Sequence, residues 1–305
     1  MITPDYLHKG DLVSLVATAK SFDKTLIASA RKTLESWGLR VIEGKNLYAV
    51  QNQFAGSDAQ RTEDLQSALD NENIKAIFCV RGGYGTSRII DEIDFSLFLL
   101  NPKWVIGFSD ITVLHGHLDR LGIESMHAIM PVQFARQEYK VSLEELKKSV
   151  FGKPVGYTFP SDKINRSGII EAEVTGGNLT ILHTTLLTKS FPNLKNKILF
   201  IEDVGENLYH IDRMMVHFKR VGILKELAGL VVGHFTDMKD GEISFGKNAN
   251  EIIADSVANY SYPVCYNFPS GHESPNMPLI FGRKARLIVD IKNSSLHFSG
   301  YNSVA

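Results

Sequence analysis

Ser109 occupies a position at which a serine can act as a nucleophile. The apolar residues 104–107 predict a strand that ends at Gly107, and a helix is predicted to begin at Asp110. A serine on such a turn is exposed at the carboxyl end of a sheet, beside free backbone N–H groups that can stabilise an oxyanion. An ordinary helix cap is the alternative interpretation. Ile111 also stands where the usual G-x-S-x-G turn has glycine.

A glycine-rich segment follows the apolar strand predicted over residues 74–80. It reads Arg-Gly-Gly-Tyr-Gly over residues 81–85, and Gly82 and Gly83 would let backbone N–H groups approach a ligand. In a doubly wound sheet this segment and Ser109 open on the same edge. A tight turn that requires positive φ is the alternative. The spacing matches neither a dinucleotide fingerprint nor a P-loop, so no nucleotide cofactor is predicted.

Two acidic residues end a later apolar strand. Either Glu202 or Asp203 could hold an imidazole in the tautomer that a serine hydrolase needs. The alternatives are a solvated strand end or an ion pair with Arg213. His272 is the candidate base because it lies in a loop rich in glycine and proline, and His127 is its rival.

These residues make one coherent set for acyl transfer without a metal ion or cofactor. No H-E-x-x-H motif and no paired Cys/His spacing occurs in the sequence, so a metal is not predicted. The set consists of a serine nucleophile, a histidine base, a glutamate that orients the base, and backbone N–H groups for the oxyanion. In that order the members are Ser109, His272, Glu202 and the amides of Asp110, Gly82 and Gly83.

The elements that must position this set alternate between strand and helix in the first half of the chain. Strands are predicted at 12–17, 40–42, 74–80, 104–107 and 125–129, with helices at 23–37, 57–69, 86–93 and 110–121 between them. This alternation predicts an α/β fold with a parallel sheet. After residue 135 the pattern changes, and strands at 198–201, 230–233 and 285–290 mix with helices such as 211–221. We therefore predict an α/β domain over 1–138, a linker over 139–165, and a smaller strand-rich α+β domain over 166–305.

Composition narrows the classes of function. The formal net charge of −1 excludes a global basic field for nucleic acid or anionic lipid. The two cysteines fit a reducing compartment. Polar residues interrupt any signal-peptide core near the N-terminus, and no run of 18 apolar residues occurs. We expect a cytoplasmic protein that neither binds nucleic acid nor crosses a membrane.

The ordered motifs of the chain resemble the LD-carboxypeptidase family of serine peptidases, which includes the microcin-immunity peptidases. The resemblance spans nearly the whole chain. The segment after His272, residues 273–282, departs from the Leu-Pro-polar-Gly pattern that is more usual in the family. The matching segments are 54–61 with Asp64 and Leu65, 81–85, 107–110, 176–179, 202–206 with Tyr209 and Asp212-Arg213, and 271–272.

The resemblance implies a two-domain fold in which Ser109 meets Glu202 and His272 across the domain interface. It implies hydrolysis of the L-to-D bond of murein tetrapeptides, release of D-alanine during cell-wall recycling in the cytoplasm, and a homodimer. Arg81 is expected to bind the terminal carboxylate of the substrate, with Tyr84 beside it; a structural ion pair of Arg81 is the alternative. The alternatives are a peptidase that cleaves peptidyl-nucleotide amides and a non-catalytic two-lobed binding protein.

Overall fold

A computed structural model describes residues 1–300 of the chain; residues 301–305, which end the predicted C-terminal domain, lie outside the described part. The strands are β1 Leu12–Val16, β2 Arg40–Glu43, β3 Ile74–Cys79, β4 Trp104–Gly107, β5 Ser125–His127, β6 Gly156–Pro160, β7 Gly168–Asn178, β8 Ile198–Val204, β9 Gly229–Thr236, β10 Val264–Cys265, β11 Leu279–Phe281, β12 Lys284–Val289 and β13 Asn293–Phe298. The helices are α1 Thr25–Ser36, α2 Asp58–Asp70, α3 Ser96–Leu100, α4 Thr112–Arg120, α5 Lys140–Val150, α6 Leu179–Thr184, α7 Leu208–Arg220 and α8 Ala249–Val257.

The first sheet is a six-stranded sheet with the strand order β11-β5-β4-β3-β1-β2. Five neighbouring strands pair in parallel, and β11 pairs antiparallel with β5. Strand β4 is buried along its whole length because its apolar residues are covered on both faces, as is usual for parallel sheets. Strands β3 and β4 are neighbours, with Phe78 opposite Ile106. The loops that follow these two strands therefore open on the same edge of the sheet.

The second sheet has seven strands in the order β10-β9-β8-β7-β12-β13-β6. One half, from β10 to β7, is parallel, and the other half is antiparallel. The predicted fold class is confirmed: an α/β region with a parallel sheet precedes a strand-rich α+β region. Residues 139–165 contain α5 and β6, and β11 returns to the first sheet. The domain division at 138 and 166 stays a prediction.

A shared apolar core joins the two sheets. Phe78 and Ile106 of the first sheet belong to the same buried cluster as Val174 and Phe200 of the second. The ring of Phe200 lies 6.3 Å from that of Phe281 in β11. In residues 1–300, no helix has both the length and the apolar composition needed to cross a bilayer.

The prediction of a helix over residues 86–93 is wrong. This segment forms two 3₁₀ turns, Thr86–Arg88 and Ile90–Glu92. The carboxylate of Asp110 accepts a hydrogen bond from the backbone N–H of Thr86 at 2.8 Å. This contact holds the first turn against the chain after β4. A long-range contact therefore decides the conformation of this segment.

Candidate active site

Ser109 lies on a strained turn between β4 and α4. Its φ angle is +64°, in the left-handed region that residues other than glycine seldom adopt. Such strain is typical of functional sites, where the surrounding structure holds the residue in place. A Cβ on Gly107 would come within 2.9 Å of the Ile111 side chain, so glycine is needed at the position two residues before Ser109. Ile111 occupies the space that Gly107 leaves open.

His272 connects the serine to the second sheet. Its Nε2 lies 3.0 Å from the Ser109 Oγ, and its Nδ1 lies 2.6 Å from the Glu202 Oε2. The loop that carries His272 follows β10, whereas Glu202 lies near the end of β8. The structure thus brings together the three residues that sequence reasoning selected, in the order hydroxyl, imidazole, carboxylate.

The alternation of side chains along β8 separates the two acidic residues. Glu202 is fully buried and faces His272. Asp203 faces the other way and accepts hydrogen bonds from the side chain of Asn178 and from the backbone and hydroxyl of Thr180. Burial and the nearby charge of Glu202 raise the pKa of Asp203 to about 6. Glu202 is therefore the carboxylate that contacts the imidazole.

The charge on Glu202 governs the protonation of His272. Burial lowers the pKa of His272, but the charge of Glu202 and its hydrogen bond outweigh burial. The pKa of His272 therefore lies above the ordinary histidine value. An imidazole in this setting accepts a proton readily and is held in the orientation that exposes Nε2 to the serine.

The two glycines of the loop after β3 have different surroundings. A Cβ on Gly82 would lie 2.9 Å from the Ser109 Cβ, 3.1 Å from its Oγ and 3.3 Å from the backbone nitrogen of Asp110. A Cβ on Gly83, whose φ is +112°, would instead meet the side chain of Lys20 at 2.8 Å. Gly82 thus keeps open the space beside the serine hydroxyl and the Asp110 N–H group.

The carboxylate of Asp110 holds the glycine loop against the serine turn. It is buried and accepts the backbone N–H of Thr86, the residue after Gly85. Burial raises the pKa of Asp110, while the hydrogen bonds from Thr86 act in the opposite direction. The side chain therefore has a structural task, and the backbone N–H remains the group of Asp110 that is predicted to act in catalysis.

Arg81 and Tyr84 flank the same loop. The Nη1 of Arg81 donates a hydrogen bond to the backbone oxygen of Ser21 at 2.8 Å, which orients its guanidinium. The ring of Tyr84 packs against that of Phe54 with centroids 6.0 Å apart, and the residue is 47% exposed. Their roles in substrate binding stay predictions.

His127, the rival base, lies behind the site. Both ring nitrogens are buried, and the side chain of Asn276 faces the ring. Its ring lies among aromatic rings, 5.7 Å from Phe108 and 5.1 Å from Phe200. Burial holds the pKa of His127 well below its ordinary value, so the ring is neutral. The hydroxyl of Ser109 is bonded to His272 instead.

Sequence reasoning did not find the contact that docks the two sheets beside the site. The Oγ1 of Thr112, in the first turn of α4, accepts the backbone N–H of Asn178 at 3.0 Å. A Cβ on Gly177 would lie 2.4 Å from that oxygen. The Gly-Gly-Asn motif at 176–178 was the available signal, because paired glycines often mark a close approach of two backbone segments.

Both halves of this structure correspond to parts of one known family. Residues 13–128 match the LD-carboxypeptidase N-terminal domain, and residues 171–287 match the LD-carboxypeptidase C-terminal domain. The chain belongs to the LD-carboxypeptidase family. It is accordingly an enzyme, a serine-type carboxypeptidase.

Relatives of this LD-carboxypeptidase match over nearly the full length. A probable murein peptide carboxypeptidase of Bacillus subtilis (strain 168) is 31% identical over 290 residues, which cover 93% of this chain and 91% of the relative. The crystal structure of muramoyltetrapeptide carboxypeptidase from Oxalobacter formigenes is 26% identical, with a TM-score of 0.85 over 96% of this chain and 100% of that one. The microcin C7 self immunity protein MccF, in complex with aspartyl sulfamoyl adenosine, has a TM-score of 0.87 at 20% identity over 99% of this chain and 100% of that one. That last likeness shows a shared fold.

Proposed function

We propose that this carboxypeptidase hydrolyses the L-to-D peptide bond of murein tetrapeptides and releases the terminal D-alanine. The single observation that supports the chemistry best is the continuous contact from the Ser109 Oγ through His272 to the buried Glu202. The descriptions of the relatives from Bacillus subtilis and Oxalobacter formigenes support the choice of substrate.

In the proposed mechanism His272 transfers protons in both halves of the reaction. Its Nε2 takes the proton of Ser109 as the Oγ attacks the scissile carbonyl carbon. The imidazolium then gives this proton to the nitrogen of the leaving D-alanine, and the C–N bond breaks. Water, deprotonated by His272, hydrolyses the resulting ester and restores the serine. Glu202 stabilises the imidazolium in each half because its charge is fully buried beside Nδ1.

Backbone N–H groups of Asp110 and of Gly82 or Gly83 are proposed to hold the developing oxyanion. The open space beside Gly82, between the Ser109 Oγ and the Asp110 nitrogen, supports this role. One such donor is typically worth about 2.7–4 kcal/mol of transition-state stabilisation. Arg81 is proposed to bind the substrate's terminal carboxylate through the guanidinium N–H groups that do not contact Ser21, with Tyr84 at the entrance.

The deciding experiment follows the mass of a murein tetrapeptide incubated with the protein. Wild type is expected to remove one D-alanine, and Ser109→Ala is expected to remove none while remaining folded by circular dichroism. A peptidyl-nucleotide amide tested in parallel measures the alternative activity. Intact tetrapeptide after prolonged incubation with wild type would count against the substrate, and turnover by Ser109→Ala would count against the nucleophile.

Several broader features of the proposal also have direct tests. The division into domains at 1–138 and 166–305 can be probed by limited proteolysis of the 139–165 segment. The homodimer can be tested by size-exclusion chromatography with light scattering. The place of the reaction in cytoplasmic cell-wall peptide recycling can be tested by cell fractionation and by analysis of the peptides that accumulate when the enzyme is absent.

A further inference from the structure

The loop that carries His272 is closed by the side chain of Asn276. The Oδ1 of Asn276 accepts one hydrogen bond from the Ser270 Oγ at 2.7 Å and another from the backbone N–H of Gly271 at 3.2 Å. Asn276 and Ser270 are both fully buried. One oxygen, four residues after the base, thus holds the two residues that directly precede the base.

The closed loop is attached to the molecule on two sides. The backbone N–H of Asn276 donates to the Oγ of Ser142 at 2.9 Å, and Ser142 is a buried residue of α5. The backbone N–H of His234 in β9 donates to the backbone oxygen of Ser270 at 2.9 Å. Strand β9 is the neighbour of β8, which carries Glu202. The loop is therefore attached to β9 through Ser270 and to α5 through the backbone of Asn276.

Other contacts hold the rest of the loop, among them the hydrogen bond from the Ser274 Oγ to the backbone oxygen of Glu138 and the one from the Met277 N–H to the Pro269 oxygen at 2.9 Å. The hydroxyl of Tyr139 donates to the backbone oxygen of His272 at 3.2 Å, and the ring of Phe108 lies 4.9 Å from the imidazole. Without the Asn276 side chain, the buried Ser270 hydroxyl would keep only its 3.0 Å bond to the Met277 oxygen. The Gly271 N–H would lose its acceptor, and a buried donor without a partner favours rearrangement of the backbone.

We propose that Asn276 is a positioning residue, whose side-chain oxygen places His272 between Ser109 and Glu202 for the proton transfers. This inference rests on the proposed function because it assigns His272 as the base. A misplacement of about 1 Å in a reacting group can cost on the order of 10²-fold in rate. Asn276 acts through His272 and makes no contact with the serine.

The ionisable groups around His272 give this role a specific signature. If the loop relaxes, His272 moves away from the charge that raises its pKa, and burial then lowers the pKa. A base works only when it is unprotonated, so the acidic limb of the pH–rate profile would move to lower pH. Burial lowers the pKa of both nearby histidines, which leaves them neutral. The two nearby histidines are His127 and His234, and the acidic groups that act on these three rings are Glu202, Asp203 and Glu273.

The experiment compares wild type with three variants. Asn276→Ala removes the acceptor, Asn276→Asp keeps an oxygen in its place, and Asn165→Ala is the matched control. Asn165 lies between β6 and β7, and its Oδ1 accepts the backbone N–H of Tyr266 at 2.8 Å, so its loss perturbs an asparagine that holds the chain just after β10 and leaves the acceptor of Gly271 in place. Two readouts are taken against pH: D-alanine release, and the rate at which a fluorophosphonate labels Ser109. The labelling rate reports the activation of the serine without requiring the natural substrate.

Asn276→Ala is expected to lower kcat about 100-fold with KM changed less than about threefold, and to move the acidic limb of both profiles to lower pH. Asn276→Asp is expected to recover most of kcat and to keep the limb at or above its wild-type position. Asn165→Ala is expected to lower the melting temperature and leave the limb in place.

Normal labelling of Asn276→Ala, or slower labelling with an unchanged limb, would overturn the proposal. If that variant does not fold, Ser270→Ala removes one of the two donors, and an unchanged labelling profile in it has the same meaning. Rapid labelling of wild-type Ser109 without D-alanine release would instead refute the proposed substrate and leave the role of Asn276 standing.

Discussion

Replacement of Glu202 by glutamine removes the buried charge while preserving the shape of the side chain. The Oε2 of Glu202 contacts the His272 Nδ1 at 2.6 Å, and its Oε1 is buried without a partner in the described residues. A glutamine can turn its oxygen toward Nδ1, which leaves its NH₂ group buried without an acceptor. It can otherwise turn the NH₂ group toward Nδ1, which places the imidazole proton on Nε2. In that tautomer Nε2 cannot take the proton of Ser109.

The lost charged hydrogen bond and the wrong imidazole tautomer together determine how far kcat should fall. A hydrogen bond to a charged group is worth about 1.5–3 kcal/mol. At about 1.4 kcal/mol for each tenfold change, its loss alone costs roughly 10- to 150-fold in rate. The wrong tautomer adds to this cost, and the equivalent change in a Ser-His-Asp protease lowers kcat about 10⁴-fold. We therefore expect Glu202→Gln to lower kcat by about 10²- to 10⁴-fold.

The pH dependence gives a second, independent readout. In wild type the charge of Glu202 raises the pKa of His272 above its ordinary value, so activity falls as acid protonates the base. In Glu202→Gln burial, the largest influence, lowers the pKa of His272 and is opposed only by the nearby charge of Asp203. The acidic limb of kcat/KM should therefore move to lower pH even as the maximum rate falls.

The assay is tetrapeptide hydrolysis followed by mass spectrometry over a range of pH. Glu206→Gln is the matched control, because the Oε2 of Glu206 also lies 2.6 Å from a histidine, the Nδ1 of His210, but at the partly exposed start of α7. Glu206→Gln should leave kcat and the position of the acidic limb of kcat/KM unchanged. A Glu202→Gln enzyme with kcat within about tenfold of wild type and an unmoved limb would refute the assignment of Glu202.

Three glycine and serine substitutions test the geometry around the site. Ser109→Gly should be inactive yet more stable than Ser109→Ala by about 1 kcal/mol in denaturant unfolding, because glycine tolerates the +64° φ angle; equal stabilities would contradict the strain. Gly82→Ala should slow fluorophosphonate labelling and also lower the melting temperature, because its Cβ would lie 2.9 Å from the Ser109 Cβ and 3.1 Å from its Oγ; unchanged labelling would count against this close approach. Gly177→Ala should cost about 1–3 kcal/mol more than Gly205→Ala, since both have positive φ but only the first Cβ meets a neighbour, the Thr112 Oγ1 at 2.4 Å. Similar costs for these two variants would rule out the clash.

The sequence was sufficient to predict the five parallel strands of the first sheet and the chemical types at the site. Apolar runs that end in glycine, serine or an acidic residue placed Ser109 and Glu202 at strand ends, and the glycine-rich loop after β3 was visible as a motif. These features depend on neighbours along the chain. Boundaries of most predicted helices and strands accordingly lie within a few residues of the observed ones, as at α2 and β8.

Only the tertiary structure decided which candidates meet. Ser109 and His272 are separated by 163 residues, and His272 and Glu202 by 70. The loop composition that favoured His272 over His127 therefore could not show that its imidazole reaches both partners. The facing direction of Glu202, the return of β11 to the first sheet and the closure of the loop by Asn276 were equally out of reach. Each depends on how the two sheets pack over a shared core. Packing depends on the combined shapes of side chains that are distant in sequence, and periodicity within one segment does not record those shapes.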